Sequence, residues 1–352
     1  MSLGLALQGL VTHQGKALTA AIIGHGGASG YRPENSPGSL DLAMAHGANG
    51  VSLTVAPTRD GRLAVVSGVD LSENTDVRKR VEFASRFASK RVHSQMVRGW
   101  FSVDFTAEEI SQLHYGEQRP RMRKASADFA SSAPERITLL AETVEALTAS
   151  HRGIAIWIDF PLPSQCAEWG FNYADLVANE FAGFSRKVDV TNIVFVSPEK
   201  TLIRELKARD LGPRVFYRTE PYGYANDEST SSKSSPRTYA TEQTPAGLQD
   251  LAQICDGVVV DILQVFSQTG ADKTAFEILW QNTDLISFAH AAGLEIAGAV
   301  LRAENSFRPQ YLRSGVDPAG LGKWDDFFEL AVARKFDAII TDHPDLLAQV
   351  NS

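Results

Sequence analysis

Short apolar runs along this chain alternate with segments in which apolar residues recur every three or four positions. The runs predict buried strands, and the three-to-four spacing predicts helices with one buried face. The predicted strands are Ala20–Ile23, Val51–Val55, Ile154–Phe160, Asn192–Val196, Arg214–Tyr217, Gly257–Asp261, Glu295–Val300 and Ala338–Thr341. The clearest predicted helices are Ser39–Ala45, Leu139–Leu147, Tyr173–Phe184, Glu199–Ala208, Phe276–Ala292 and Trp324–Arg334. Eight strands alternating with helices predict an α/β fold, a (β/α)8 TIM barrel.

Such a barrel needs about 250 residues, so a chain of 352 residues leaves room for insertions within one domain, 1–352. One insertion follows the second strand and spans 78–135, where mixed aromatic and charged residues predict a small ordered subdomain. The other, Asn226–Pro245, is rich in Ser and Thr. We expect it to be mobile, either as a passive loop or as a lid over the barrel end where the chemistry lies.

Composition narrows the classes of partner. The net charge is −8 with both signs interspersed, which argues against nucleic acid because phosphate binding needs clustered cations. The run Arg119–Lys124 is the main exception; we expect a solvated loop there, with contact to an anionic ligand as the alternative. No apolar run approaches the ~18 residues of a membrane span. Cys166 and Cys255 lack the spacing of a zinc site, and whether they form a disulfide is left open.

Polar residues collect where the predicted strands end, which is where a barrel carries its chemistry. They are His25, Ser52, Thr54, Ser67, Gly68, Asp159, Arg302, Glu304, Asn305, Asp342 and His343. Each also has a structural interpretation. His25 can simply end its strand, Arg302 and Glu304 can pair with each other or with loop backbone, and Asp342 can cap the last helix.

Several motifs in order give this chain a family resemblance. They are HGGASGYRPEN (25–35), GANGVSLTVAPTRDGRLAVV (47–66), ENTDV, GWFSVDFTAEEI, ITLLAETVEAL, VLRAENSFRP (300–309) and DAIITDHPDLL (337–347). Together they resemble the glycerophosphodiester phosphodiesterase family, in its bacterial exported branch. The resemblance implies a barrel that hydrolyses glycerophosphodiesters to glycerol 3-phosphate and an alcohol. It also implies a divalent cation, Mg²⁺ or Ca²⁺, on carboxylates, with two histidines as acid and base.

The catalytic positions of that family are only partly retained. His25 matches the first histidine, Glu34 remains, and Asp159 is a shorter carboxylate at the strand-three position. The phosphate-gripping arginine is replaced by Gly26, the Glu-x-Asp metal pair by Ser52 and Thr54, and the His-Asp by Ser67 and Gly68.

We therefore expect lost or strongly reduced metal-dependent hydrolysis and a retained pocket for a glycerophosphodiester or polyol. The expected ligand contacts are Gly26, Glu34, Ser52, Thr54, Ser67 and Arg302. The alternative is an active hydrolase that uses His25 with a metal held by Asp159 and Glu34. A third hypothesis is an interaction protein that works through the 78–135 insertion or the Ser/Thr-rich segment.

The compartment and the oligomeric state are separate questions. The first residues, MSLGLALQGL, lack a basic start followed by an unbroken apolar run. This fits either a cytoplasmic protein or one whose leader has been removed. The resemblance to the exported branch favours the second, an extracytoplasmic protein. The sequence leaves the oligomeric state open.

Overall fold

Eight parallel strands close into a barrel, and the (β/α)8 prediction is confirmed. The computed structural model describes residues 20–184, 188–231, 236–265 and 284–351. The strands of the described residues are β1 (Ala21–His25), β2 (Gly50–Pro57), β3 (Leu63–Val65), β4 (Ala88–Val92), β5 (Gln95–Gly99), β6 (Ala155–Asp159), β7 (Ile193–Ser197), β8 (Arg214–Arg218), β9 (Gly257–Asp261), β10 (Glu295–Leu301) and β11 (Ala338–Thr341). The barrel order is β1-β11-β10-β9-β8-β7-β6-β2, and β1 pairs with β2 to close it. β3 extends β2 as an antiparallel neighbour.

Helices cover the outside of the barrel. In the described residues they are α1 (Pro37–Ala45), α2 (Ala107–Ile110), α3 (Lys124–Ser132), α4 (Leu140–Ser150), α5 (Pro163–Glu168), α6 (Tyr173–Phe184), α7 (Lys200–Arg209), α8 (Asn226–Ser231), α9 (Tyr239–Glu242), α10 (Pro245–Leu251), α11 (Leu285–Ala291), α12 (Trp324–Val332) and α13 (Pro344–Val350). The predicted helices are confirmed, except that positions 276–283 of one prediction lie outside the described residues.

Two apolar layers hold the barrel together. The strand faces that point outward pack against the helices in one continuous core. The faces that point inward fill the barrel with a second cluster: Ile23, Trp157, Val194, Val196, Phe216, Val259, Ala297, Ala338 and Ile340. Strands buried on both faces explain why the runs in the sequence are continuously apolar rather than alternating.

The insertion after the second barrel strand contains regular structure. β4 and β5 form an antiparallel hairpin, and α2 and α3 follow it. A capping box starts α2, since the Thr106 hydroxyl accepts from the Glu109 amide while the Glu109 carboxylate accepts from the Thr106 amide. The insertion therefore carries a hairpin and two helices between β3 and α4.

The segment Asn226–Pro245 is not the irregular loop that its composition predicts. Its described residues form α8 and α9, which pack against α7. The Asp227 carboxylate accepts from the Thr201 amide at 2.7 Å, and the buried Glu242 pairs with the buried Lys200. Apolar periodicity does not indicate these helices, because their contacts are between charged and polar groups. The mobility of the segment stays a prediction.

Two further points concern the helices and the cysteines. None of the described helices is both long and apolar enough to cross a bilayer. Cys166 and Cys255 are free and buried. They do not form the disulfide that the sequence left open.

Candidate functional site

The alternation of side chains along the barrel strands brings the candidate residues together. Successive residues of a strand point to opposite faces, so the position two beyond an inward apolar residue also points inward. Ile23, Trp157, Phe216, Val259 and Ile340 fill the barrel. Two residues beyond each of them, at the carboxyl end of the barrel, stand His25, Asp159, Arg218, Asp261 and Asp342.

Ser52 and Thr54 of β2 belong to the same inward set. Ser52 is in register with His25, and Thr54 with Asp159. The sequence therefore predicted correctly that the ends of the first three barrel strands meet at one mouth. Arg218 and Asp261 were not among the predicted site residues, although the same alternation places them there.

His25 and Asp342 form a hydrogen-bonded pair at this mouth. The His25 Nδ1 atom lies 2.8 Å from the Asp342 Oδ1 atom. An ionised carboxylate only accepts, so Nδ1 carries the proton and Nε2 is left as the basic nitrogen. Within the described residues Nε2 has no hydrogen-bond partner, and the ring is 22 % exposed. His25 is thus held in the tautomer of a general base, with its reactive nitrogen open to a ligand.

Asp342 is also the centre of an arginine cluster. Its Oδ2 atom accepts from Arg123 Nη2 at 2.5 Å and from Arg302 Nε at 2.8 Å. Burial by itself would raise the pKa of Asp342, but Arg302, Arg123 and the hydrogen bond from His25 hold it well below its ordinary value. Asp342 is therefore a fixed negative charge.

This geometry corrects two predictions about the last strands. Asp342 does not cap α13, which begins at Pro344 without a side-chain cap. Arg302 and Glu304 do not pair with each other, because Arg302 binds Asp342 and Glu304 binds Arg123. Arg302 and Glu304 each bind a residue of another loop, and the spacing of residues within one segment does not indicate such partners.

Arg123 is a further residue of the site that the sequence did not indicate. The run Arg119–Lys124 was expected to be a solvated loop, and for Arg123 that is wrong, because its side chain is buried. Its guanidinium donates to Glu304 at 2.7 Å, to the Ser29 carbonyl at 2.8 Å and to Asp342. The available signal was a basic run in an acidic chain, which marked the segment but not the residue that turns inward.

The predicted metal position is filled by an arginine. Asp159, the remaining carboxylate of β6, pairs with Arg218 of β8. Ser52 and Thr54 supply only neutral oxygens, and Glu34 contacts Asn35 and Gln118 at 3.5 Å each. The described residues contain no group of three His, Cys, Asp or Glu side chains placed to hold a metal. Because Mg²⁺ and Ca²⁺ need several oxygen ligands, this donor set does not fit the divalent cation that the resemblance implies.

The first loop leaves no room for the arginine that the family carries beside His25. Gly26 has φ +54°, in the left-handed region that favours glycine. A Cβ atom at this position would lie 2.2 Å from the Glu34 Cγ atom. The Gly26 amide instead donates to the Ser52 carbonyl at 3.0 Å. The loop is built around glycine, so the change at this position is more than the loss of one side chain.

Ser67 is tied into the first loop by Asn35. The Asn35 amide donates to Ser67 Oγ at 3.0 Å, and its Oδ1 accepts from the Thr54 amide at 3.2 Å. A Cβ atom on the neighbouring Gly68 would meet nothing within 4 Å. The place of the second family histidine is therefore a hydroxyl with a structural partner beside open space.

A cavity of about 440 Å³ adjoins the mouth between the loops after β9 and β10. Its lining residues are Asp261, Leu263, Val300, Arg302, Ser306, Phe307, Arg308, Pro309, Gln310 and Arg313. Three arginines face one carboxylate, so the lining is cationic. Arg308 is buried, and in the part of the chain that the structure describes its Nε and Nη1 atoms have no hydrogen-bond partner. The volume is within the range of small-molecule sites, and the charge favours an anion.

His343 is the remaining histidine at the strand ends. It is buried, and burial lowers its pKa, which keeps the ring neutral. Its Nδ1 atom lies 3.5 Å from the Ala303 amide, and its ring packs edge-on against Tyr31. These contacts assign it a packing role behind the site.

Comparison with known proteins agrees with this arrangement of strands and loops. The profile of the glycerophosphoryl diester phosphodiesterase family matches residues 25–346. A glycerophosphodiester phosphodiesterase of Treponema pallidum is 24 % identical over 94 % of this chain and 92 % of its own. A second one, from Haemophilus influenzae, is 35 % identical over 27 % of this chain. That match and a further one in Arabidopsis thaliana span about a quarter of those relatives' lengths.

Solved structures share the fold at low identity. A phosphodiesterase of Oleispira antarctica, in complex with the product sn-glycerol-3-phosphate, aligns with TM-score 0.58 at 16 % identity over 94 % of this chain and 96 % of its own. A glycerophosphodiester phosphodiesterase of Agrobacterium tumefaciens aligns with TM-score 0.56 at 16 % identity over 94 % of this chain and all of its own.

Proposed function

The chain belongs to the glycerophosphoryl diester phosphodiesterase family, and on that premise we propose that it binds a glycerophosphodiester or glycerol phosphate without a metal ion. In this proposal the family's metal-dependent hydrolysis is lost or strongly reduced. The observation that carries it is the ion pair of Arg218 with Asp159. A guanidinium stands against the strand-end carboxylate that would otherwise hold the cation.

Arginine can replace part of what a metal does for a phosphate. A guanidinium is always charged and presents its donors in a planar fork that matches phosphoryl oxygens. Arg302 reaches Asp342 through Nε, and among the described residues its terminal nitrogens have no hydrogen-bond partner. With Arg308 and Arg313 in the same lining, the cavity offers the donors that a phosphoryl group needs.

The polar atoms at the mouth also suit a polyol. Asp159 Oδ1 and Arg218 Nε are both buried, and among the described residues neither atom has a hydrogen-bond partner. Such atoms are costly, at about 1–3 kcal/mol each. A ligand hydroxyl, which donates and accepts at once, would satisfy either atom once a shift of the Asp159 or Arg218 side chain exposes it. This supports a glycerol moiety beside the phosphoryl group.

The expected loss of activity follows from the missing groups. One general acid or base contributes about 10²–10⁴ in rate, and a metal on a phosphoryl group contributes several kcal/mol more. Without the second histidine and the metal cage, a loss on the order of 10⁵ or more is expected, although such losses are not additive.

The test is calorimetric titration of sn-glycerol 3-phosphate and glycerophosphocholine into the protein in the presence of a chelator. We expect binding, and about a tenfold loss of affinity in Arg313→Gln, since a hydrogen bond to a charged group contributes about 1.5–3 kcal/mol. Arg152→Gln, an exposed arginine of the α4–β6 loop, is the matched control and should bind like wild type. Absence of binding, or equal affinity in the two variants, would overturn the proposal.

A second candidate is residual hydrolysis, and the His25–Asp342 pair favours it. His25 Nε2 can take a proton from an attacking water as the water oxygen bonds to phosphorus and the bond from phosphorus to the alcohol oxygen breaks. The alcohol leaves as its alkoxide, which takes a proton from solvent water. Release of choline from glycerophosphocholine that persists in chelator and disappears in His25→Ala would establish this candidate. Equal rates in wild type and His25→Ala would remove it.

A further inference from the structure

The β4–β5 hairpin of the insertion carries two different faces. Directly paired residues of an antiparallel ladder share a face, so the pairing of Arg91 with Met96 places both on one side. Both side chains are exposed, and Met96 is 66 % exposed. Val92 and Val97, on the other side, pack against the main core. One face of the hairpin is thus anchored to the protein and the other is free.

The free face is basic. The pair Ser89 and Arg98 lies on it, two residues from Arg91 and Met96 along each strand. Arg91 donates to the His93 carbonyl, and the Arg98 guanidinium lies 5.2 Å from the ring centre of Phe87. Within the described part of the chain neither arginine has a carboxylate partner. Both charges are therefore open to an external anion.

Charge is unevenly distributed around this hairpin. Residues 76–99 contain seven Lys or Arg and two Asp or Glu, whereas the whole chain has a net charge of −8. The rest of the chain carries thirteen more acidic than basic residues. Arg78, Arg80, Arg86 and Lys90 are paired with carboxylates of the described residues. The cations left to attract a negatively charged surface are Lys79, Arg91 and Arg98, and they favour an approach with the hairpin first.

Large apolar side chains are exposed among these cations. Val81 is 87 % exposed and Phe87 38 % exposed, in addition to Met96. Val81 is the first residue of the 3-10 turn that leads into β4, and Phe87 directly follows that turn. Cations next to exposed apolar side chains form the pattern of an interfacial membrane-binding surface, where the charges meet anionic headgroups and the apolar groups enter the acyl boundary.

The hairpin lies at the end of the barrel that carries the candidate site. The insertion leaves after β3 and returns to start α4, and its hairpin contacts the loop after β6. The His93 amide donates to Gln165 of α5 at 2.7 Å, and Lys90 lies 5.8 Å from the Trp169 ring centre. Arg123 of the same insertion binds Asp342 in the site. A surface bound by the hairpin would therefore lie beside the barrel mouth.

We propose that the outer face of the β4–β5 hairpin docks this protein onto an anionic lipid bilayer. This goes beyond the proposed ligand and does not depend on it. The observations favour a bilayer over a nucleic acid, because a polynucleotide offers no apolar phase for Met96 and Val81. A membrane span is not required, since the attachment is peripheral.

The test is sedimentation with vesicles of phosphatidylcholine and phosphatidylglycerol in equal parts, with pure phosphatidylcholine vesicles for comparison. Wild type should bind the anionic vesicles only, and salt should weaken the binding. Arg91→Glu/Arg98→Glu should lower the partition coefficient about twenty-five-fold or more, at about fivefold for each cation removed. Met96→Ser should weaken the binding that remains at high salt.

The matched control is Arg152→Glu/Lys335→Glu, which reverses two exposed cations on the opposite end of the barrel. It has the same net charge as the hairpin variant and should bind like wild type. Melting curves check that both double variants are folded, and no change is expected because the substituted side chains are exposed. Equal binding of the two variants, no binding of wild type, or binding to heparin but not to vesicles would each overturn the proposal.

Discussion

Substitution of Asp342 by Asn tests whether one buried carboxylate organises the arginine cluster. Asp342 Oδ1 accepts from His25, and Oδ2 accepts from Arg123 and Arg302. Asparagine keeps the shape but has one oxygen. If that oxygen faces His25, the new amide group faces two guanidinium donors. If it faces the arginines, the amide group forces His25 into the other tautomer. Neither orientation restores the network.

The expected loss in the free energy of unfolding is about 3–5 kcal/mol, the range for breaking a buried ion pair by removing one partner. Asp342 and Arg123 are both nearly inaccessible to solvent, so solvent does not compensate the unpaired guanidinium. The assay is urea denaturation at neutral pH. Asp128→Asn, an exposed carboxylate of α3, is the control and should change the stability by less than about 0.5 kcal/mol. If Asp342→Asn lowers the free energy of unfolding by less than about 1 kcal/mol, Asp342 does not organise the arginine cluster.

The pH dependence gives a second readout of the same variant. The pKa of Asp342 lies well below its ordinary value in the folded protein. A depressed folded pKa contributes stability above the unfolded pKa of about 3.9, and this contribution is lost as the pH falls toward the folded value. The difference between wild type and Asp342→Asn should therefore be constant at neutral pH and shrink in acid. A difference that grows below pH ~4 would contradict the assigned charge.

Three further predictions concern other parts of the structure. Burial raises the pKa of the Cys166 and Cys255 thiols to about 12. Both thiols should therefore resist a thiol reagent in the folded protein and react with it in denaturant. Rapid labelling of the folded protein would contradict this prediction. Burial likewise raises the pKa of Glu199 to about 7. Glu199→Gln should therefore stabilise the protein by up to about 3 kcal/mol at pH 8 and by little at pH ~4. Urea titrations that show the same stabilisation at both pH values would contradict the raised pKa. Gly26→Arg should lower the melting temperature, because Gly26 has a left-handed φ and an added Cβ atom would clash with Glu34. Gly183→Arg should leave the melting temperature unchanged, because the added Cβ atom would meet nothing within 4 Å among the described residues.

The fold was predictable from the sequence because strand and helix periodicities are local. The inward alternation at the strand ends, which places His25, Ser52 and Asp159 at one mouth, follows from the same periodicity. Which side chains pair at that mouth does not. Arg123 reaches Asp342 across 219 positions of sequence, and Arg218 reaches Asp159 across 59. Such pairings depend on loop paths that no local spacing encodes.

The replaced residues at the family positions were also visible in the sequence, but their consequence was not. Reading Ser52 and Thr54 indicated a weakened metal site with Asp159 still available. The geometry changes that interpretation, because Arg218 already neutralises Asp159. The same holds for the first loop, where the sequence showed the replaced residue but not the backbone conformation. Glycine at position 26 was visible as a missing arginine, whereas its φ of +54° indicates a turn that favours glycine.

The central claim is that this site binds a glycerol phosphate with guanidinium groups rather than with a metal. The most direct measurement is the melting temperature of the protein as sn-glycerol 3-phosphate is titrated, once with chelator and once with Mg²⁺ or Ca²⁺. A ligand that binds the folded state raises the melting temperature with its concentration. We expect the same rise in melting temperature with chelator and with divalent cation, and no change in melting temperature from the cations alone. A rise that appears only with the divalent cation would contradict it.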